Sequence, residues 1–204
     1  MLKAGAPTAG IPACPTRGNM TTALLFIDVQ NHILHGLGSP ERQPLLDRRL
    51  DEVVGRLAVL RQRASAAGVQ VILVQHDGDG GYRLATGGEG WKIRRELSPV
   101  EGDIVVHKRS CDSFFATDLA GHLQRLGVTR LVVGGCMTQF CVDTTVRRAV
   151  SMGYDVTLAG DGHTTADSGA LSFEQIIAHH NALLNGFNAG PHLVEVCPAA
   201  AIAL

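Results

Sequence analysis

Short apolar runs alternate with stretches of helical spacing along nearly the whole chain. Thr22-Ala23-Leu24-Leu25-Phe26-Ile27 is apolar without interruption after its first residue. Behind it Leu46, Leu50, Val53, Val54, Leu57 and Leu60 recur on one helical face, which predicts a helix over 45–67. The same reading predicts strands at 69–74, 103–106, 131–133, 155–159 and 192–196. It predicts further helices at 118–126, from Cys141 onward, and at 172–184. Six strands without polar alternation, separated by helical segments, predict a parallel sheet covered on both faces. The expected fold is therefore α/β: a three-layer α/β/α, doubly wound, six-stranded parallel sheet.

One segment breaks this rhythm. Gly78-Asp79-Gly80-Gly81-Tyr82 through Gly87-Gly88-Glu89-Gly90-Trp91 is too rich in glycine for a helix or strand, yet it carries Tyr82 and the one tryptophan. It reads either as a loop lining a pocket or as a surface loop. It lacks the Gly-Lys-Ser/Thr ending of a phosphate loop, so nucleotide binding has no support. Residues 1–19, rich in Ala, Gly, Pro and Thr without a continuous apolar core, read as a flexible extension rather than a secretory signal. Residues 20–204 then form one domain.

Composition narrows the function classes. With 45% hydrophobic residues the chain can build a core covered on both sides. A formal charge of −1 and the lack of a Lys/Arg run give a nucleic-acid or anionic-membrane partner no footprint. No apolar run approaches the roughly 20 residues that span a bilayer. A small molecule is the expected partner. The five cysteines (Cys14, Cys111, Cys136, Cys141, Cys197) are odd in number and contain no Cys-x-x-Cys pair. That argues against a disulfide framework and for a reducing, cytoplasmic setting with free thiols.

One of those thiols stands out. In Gly134-Gly135-Cys136-Met137-Thr138-Gln139-Phe140-Cys141-Val142-Asp143 a buried strand gives way to a glycine turn and then to helical spacing. Cys141 is expected in the first turn of a helix, where free N–H groups and the positive dipole end favour a thiolate and can hold an oxyanion.

With Leu24-Leu25-Phe26-Ile27-Asp28-Val29-Gln30 and Val105-Val106-His107-Lys108-Arg109, this segment resembles the cysteine hydrolases of the isochorismatase-like superfamily over about Thr21 to Val196. The resemblance implies a strand order of 3-2-1-4-5-6, with a crevice beyond the carboxyl ends of strands 1 and 4. It also implies a catalytic triad of Asp28, Lys108 and Cys141. Its oxyanion hole would be the backbone N–H groups of Met137 and Cys141, beside a cis peptide joining Cys136 to Met137. Lys108 follows an edge strand in that order, so its strand end or the loop 108–115 has to lean inward.

Each assignment has a plainer competitor. Cys141 alone would more often be inert core, Asp28 a turn cap, and Lys108 a solvated charge. Cys136 is a rival nucleophile, though its place in the turn suits backbone donation better. His163 could form a Cys–His dyad with Cys141, which is the runner-up mechanism. His76 and Asp77 fall near where metal-binding nicotinamidases of the superfamily keep an Asp-x-His motif; that motif is missing, so no metal and no cofactor is expected. Gln30, His76, Tyr82, Trp91 and Phe140 are the candidate substrate-binding residues.

The flanks, notably 107–119 and 171–181, are most similar to the actinobacterial branch typified by streptothricin hydrolase. The implied activity is cleavage of an amide or lactam C–N bond through a thioester, with nicotinamide-like or N-carbamoyl amides as alternatives. A non-catalytic binding homologue, or a redox protein pairing Cys141 with Cys136 or Cys111, belongs to other classes. A homodimer or homotetramer is expected, with His179, His180, Asn181 and Leu184 in the subunit contact.

Overall fold

The computed structural model describes residues 20–204, so the expected extension over 1–19 lies outside the described residues. In chain order the elements are β1 (Thr22–Ile27), α1 (Gln43–Ala66), β2 (Gln70–His76), β3 (Ile104–Lys108), α2 (Leu119–Arg125), β4 (Arg130–Cys136), α3 (Asp143–Ser151), β5 (Asp155–Thr164), α4 (Phe173–Leu184), β6 (Asn188–Ala189) and β7 (His192–Cys197).

They build one sheet in the order β3-β2-β1-β4-β5-β7-β6. Every pairing is parallel except that of β6 with β7. The doubly wound class and the reversal of strand order beside β1 match the sequence expectation. The sixth expected strand is β7; the two-residue β6, too short to leave a periodic signal, makes the sheet seven-stranded.

Burial on both faces explains the uninterrupted apolar runs. Leu24 and Phe26 of β1 pack toward the face covered by Leu46, Leu50, Val53, Val54, Leu57 and Leu60 of α1. Ala23, Leu25 and Ile27 point the other way, onto Leu119 and Leu123 of α2 and Val146, Ala149 and Val150 of α3. Side chains alternate across a strand, so a strand buried on both sides must be apolar at every position.

Several strands extend beyond their predicted carboxyl ends, and those extra residues carry the chemistry. β3 continues to Lys108 and β4 runs through Gly134 and Gly135 to Cys136. β5, expected to stop at 159, continues to Thr164 and places His163 on the strand rather than after it. Glycines that read as turn signals are instead points of close approach. A Cβ at Gly135 would overlap the Ile27 carbonyl oxygen, and the residue has φ +129, a conformation that L side chains rarely adopt. Two backbones thus meet where a side chain cannot stand.

A candidate active site at the ends of β1, β3 and β4

Asp28 follows β1 with φ 51, in the left-handed region that a non-glycine residue occupies at a cost of roughly 1–2 kcal/mol. Its N–H donates to the Val74 carbonyl at 2.9 Å, so the bend keeps its backbone bond. The carboxylate, 1% exposed, turns into the crevice between β1 and β4.

Lys108 reaches it across β2. In the parallel register Lys108 lies opposite His76, while Ile27 lies opposite Val74, so the stagger carries Lys108 beyond the end of β1. The following loop is tied to α3: Ser113 N–H donates to Thr145 Oγ1 at 3.1 Å, and Thr145 Oγ1 donates to Ser113 Oγ at 2.8 Å. Lys108 Nζ donates to Asp28 Oδ2 at 2.6 Å, to the Ser110 carbonyl at 2.9 Å and to Cys141 Sγ at 3.2 Å. Those contacts occupy the three donors of the ammonium, as a buried charge requires. Asp28, Lys108 and Cys141 are thereby brought together.

Cys141 does not begin an α-helix. It lies in a π-helical turn, Thr138–Val142, that leads into α3. The Met137 carbonyl accepts from Phe140 N–H at 3.1 Å and from Val142 N–H at 3.2 Å, and the Cys136–Met137 peptide bond is cis. Wide turns of this kind recur at functional sites, where they re-aim one side chain.

Burial sets the protonation states. It raises the Asp28 pKa despite the opposing Lys108 charge and its hydrogen bonds. Burial, reinforced by the negative charge of Asp28, also raises the Cys141 thiol against the pull of Lys108. For Lys108 burial acts downward, but the charges of Asp28 and Cys141 outweigh it and the ammonium is stabilised. Burial thus opposes charge on Asp28 and on the Cys141 thiol, while Lys108 is held as an ammonium between them. The helix-dipole preference for a thiolate is opposed here by desolvation. Asp28 Oδ1 is buried without a nitrogen or oxygen donor, and the thiol is the hydrogen-bonding group left to it.

A family model described as the isochorismatase domain matches residues 22–184. The chain belongs to the isochorismatase family. It is 37% identical over 145 residues to streptothricin hydrolase of Streptomyces noursei, covering 71% of this chain and 50% of that protein. It thus spans about half the length of that relative. It is 28% identical over 172 residues to the ureidoacrylate amidohydrolase RutB of Stutzerimonas stutzeri, covering 70% of this chain and 69% of that protein. The crystal structure of an isochorismatase from Pseudomonas putida KT2440 superposes with a TM-score of 0.78 at 32% identity, covering 90% of each chain.

Within this isochorismatase-family site, the histidine proposed as an alternative base is engaged elsewhere. His163 is fully buried, with Nδ1 2.9 Å from Thr138 Oγ1 and Nε2 2.8 Å from Asn181 Oδ1. Asn181 Nδ2 donates to the Gly160 carbonyl at 2.8 Å, which fixes its Oδ1 as the acceptor. The network therefore assigns the ring proton to Nε2, and Thr138 donates to Nδ1. Burial lowers the His163 pKa to about 4. Neither nitrogen is directed at Cys141, so the Cys–His reading is corrected.

The surrounding candidates divide. Gln30 is fully buried and spends its amide on the backbone: Nε2 donates to the His76 and Trp91 carbonyls at 3.0 and 2.7 Å, and Oε1 accepts from His76 N–H at 3.0 Å. It clamps the glycine-rich segment onto the strand ends instead of presenting a free amide. Trp91 Nε1 donates to Asp77 Oδ1 at 2.7 Å, and the same oxygen lies 3.0 Å from His107 Nδ1. Trp91 stacks on His107 with ring centroids 5.8 Å apart. His76 and Tyr82 meet edge to face at 6.1 Å, and Phe140 is exposed beside the nucleophile. A cleft of ≈ 320 Å³ opens beside Lys108, lined by Asp77, His107, Arg109, Ser110, Phe115 and Ala116.

Among the described residues no group of three or more His, Cys, Asp or Glu side chains is placed to hold a metal ion. No helix among them is long and apolar enough to cross a membrane.

One further expectation changes. Leu184, expected in the subunit contact, is 1% exposed and belongs to the interior, while the half-buried Asn181 bonds to His163. A larger groove of ≈ 480 Å³ between α1 and α4 contains no nucleophile. Cys111, Cys136 and Cys141 are free thiols.

Proposed function

We propose that this protein is a cysteine-dependent amidohydrolase that cleaves a C–N amide or lactam bond of a small molecule. The observation that carries the reading is the buried Lys108 ammonium in simultaneous contact with Asp28 Oδ2 and Cys141 Sγ.

In this scheme Asp28 takes the thiol proton as Cys141 Sγ attacks the substrate carbonyl. The raised carboxyl pKa suits that exchange, because a strongly acidic carboxylate would be a poor base toward a buried thiol. Lys108 stays protonated and compensates negative charge as it moves from carboxylate to sulfur. The backbone N–H groups of Met137 and Cys141 hold the oxyanion of the tetrahedral intermediate. Asp28 returns its proton to the departing nitrogen, leaving a thioester. It then deprotonates the water that releases the acid, and the thiol is regenerated. The residues supply nucleophile, base and acid, so the cycle is proposed to run without metal or cofactor.

Likeness to streptothricin hydrolase supports a lactam, and likeness to ureidoacrylate amidohydrolase supports a ureido or N-carbamoyl amide. A cytoplasmic homo-oligomer is the proposed setting. The test is an amide and lactam panel read by ammonia release and mass spectrometry, with wild type and Cys141→Ala. Turnover retained by the variant would remove the mechanism. Loss of two thiols to mild peroxide, with no amide turnover, would favour the redox reading.

A further inference from the structure

We propose that Arg83 is the anchor for an anionic group on the substrate, so that the amides accepted here carry a carboxylate. This deepens the amidohydrolase reading and rests on it.

Arg83 leaves the glycine-rich loop and lies against the nucleophile turn. Its Nε donates to the Ile33 carbonyl at 3.1 Å, its Nη2 lies 3.9 Å from Met137 Sδ, and its guanidinium sits over the Tyr82 ring at 4.8 Å. Those contacts fix the plane of the group but supply no negative charge. Other cations around the same loop are matched: Arg109 with Asp79 at 2.7 Å and Lys92 with Glu89 at 2.6 Å. Arg83, although half-buried, has no carboxylate partner among the described residues. A partly desolvated guanidinium without a counter-charge is unfavourable, and a planar anion bound by its fork relieves that cost.

His76 strengthens the assignment. Its ring shares Tyr82 with Arg83, meeting it edge to face, and its backbone lies opposite Lys108 in the β2–β3 register, while Arg83 lies against Met137 of the turn that precedes Cys141. The imidazole nitrogens have no hydrogen-bond partner among the described residues, whereas the backbone N–H and carbonyl of His76 are taken by Gln30. A carboxylate spanning the two would accept from the guanidinium and from one imidazole N–H.

The anion site can be tested without the natural substrate. Cys141 alkylation is timed with bromoacetate, 3-bromopropionate and 4-bromobutyrate, each beside its neutral amide, and is read by mass spectrometry on the peptide containing Cys141. Glutathione gives the intrinsic acid-to-amide ratio. For at least one chain length the wild-type ratio should exceed that of glutathione by ~10- to 100-fold, the scale of one charge-assisted hydrogen bond. Arg83→Gln should return the ratio to the glutathione value, and Arg83→Lys should keep part of it. A wild-type ratio equal to that of glutathione at every length, or an unchanged ratio in Arg83→Gln, would overturn the assignment. A wild-type ratio equal to that of glutathione overturns the assignment even if a variant does not fold, whereas support needs the fall in Arg83→Gln, because the Lys108 ammonium also attracts anions to Cys141. Failure of the amidohydrolase reading is separate, because it would appear as amide turnover by Cys141→Ala.

Discussion

Two buried polar clusters flank the nucleophile turn, and they end in opposite chemical states. On one side Asp28 and Cys141 both contact the Lys108 ammonium, and Asp28 Oδ1 is left without a nitrogen or oxygen donor. On the other, Thr138, His163 and Asn181 form a neutral chain in which each ring nitrogen of His163 is already matched. Both are desolvated, and both shift pKa values. Only the first retains an unfilled acceptor at the crevice. A shifted pKa therefore marks burial, whereas an unfilled valence beside a nucleophile marks a candidate for proton transfer.

The largest expected effect tests the first cluster directly: Cys141→Ala should lower turnover at least ~10⁴-fold in a steady-state amide assay, since loss of a nucleophile removes the covalent path. Asp28→Asn should lower kcat by at least ~100-fold with a modest change in KM, and should slow Cys141 alkylation at neutral pH, because the thiol loses its proton acceptor. If Asp28→Asn kept wild-type turnover while His163→Asn lost it, the roles of the two clusters would be exchanged.

His163→Asn should instead act on stability, costing about 1–3 kcal/mol in denaturant unfolding as Thr138 and Asn181 lose a partner, with kcat changed less than about tenfold. The two clusters also respond differently to acid. His163 falls from 6.5 unfolded to about 4 folded, so its contribution is present above the unfolded value and is lost as pH falls through the folded one, on the order of 3 kcal/mol in total. Asp28, raised above 3.8, favours the folded state while protonated, and that contribution fades as pH rises through its folded value. Thermal melts of wild type and His163→Asn over pH 4–8 should therefore converge on the acid side. The smallest expected effect is that of chelator: dialysis should leave kcat/KM unchanged.

Much of the frame was legible because periodicity reports which faces are buried. The apolar runs located the strands, whereas Gly134-Gly135-Cys136, which read as a turn, forms the end of β4. Depth and reach were not legible. The strand order implied by the family resemblance placed Lys108 after an edge strand, but its inward course depends on the parallel stagger and on the loop tied to Thr145. Gln30 looked like a free amide because its backbone partners, His76 and Trp91, lie far away in sequence. Asn181 and Leu184 occupy a helix whose inward face was assigned only coarsely by spacing. The thiol's protonation followed burial, which no local motif records.

Gly135 sets the gap across which Asp28 and Cys141 meet, because no side chain fits between its backbone and the Ile27 carbonyl. A glycine codon becomes an alanine codon by a single nucleotide change, and here that change would force β4 away from β1 while leaving every triad residue in place. If the proposed mechanism holds, lineages descending from this chain would have a short genetic route to a silent homologue, one that inspection of Asp28, Lys108 and Cys141 alone would not detect.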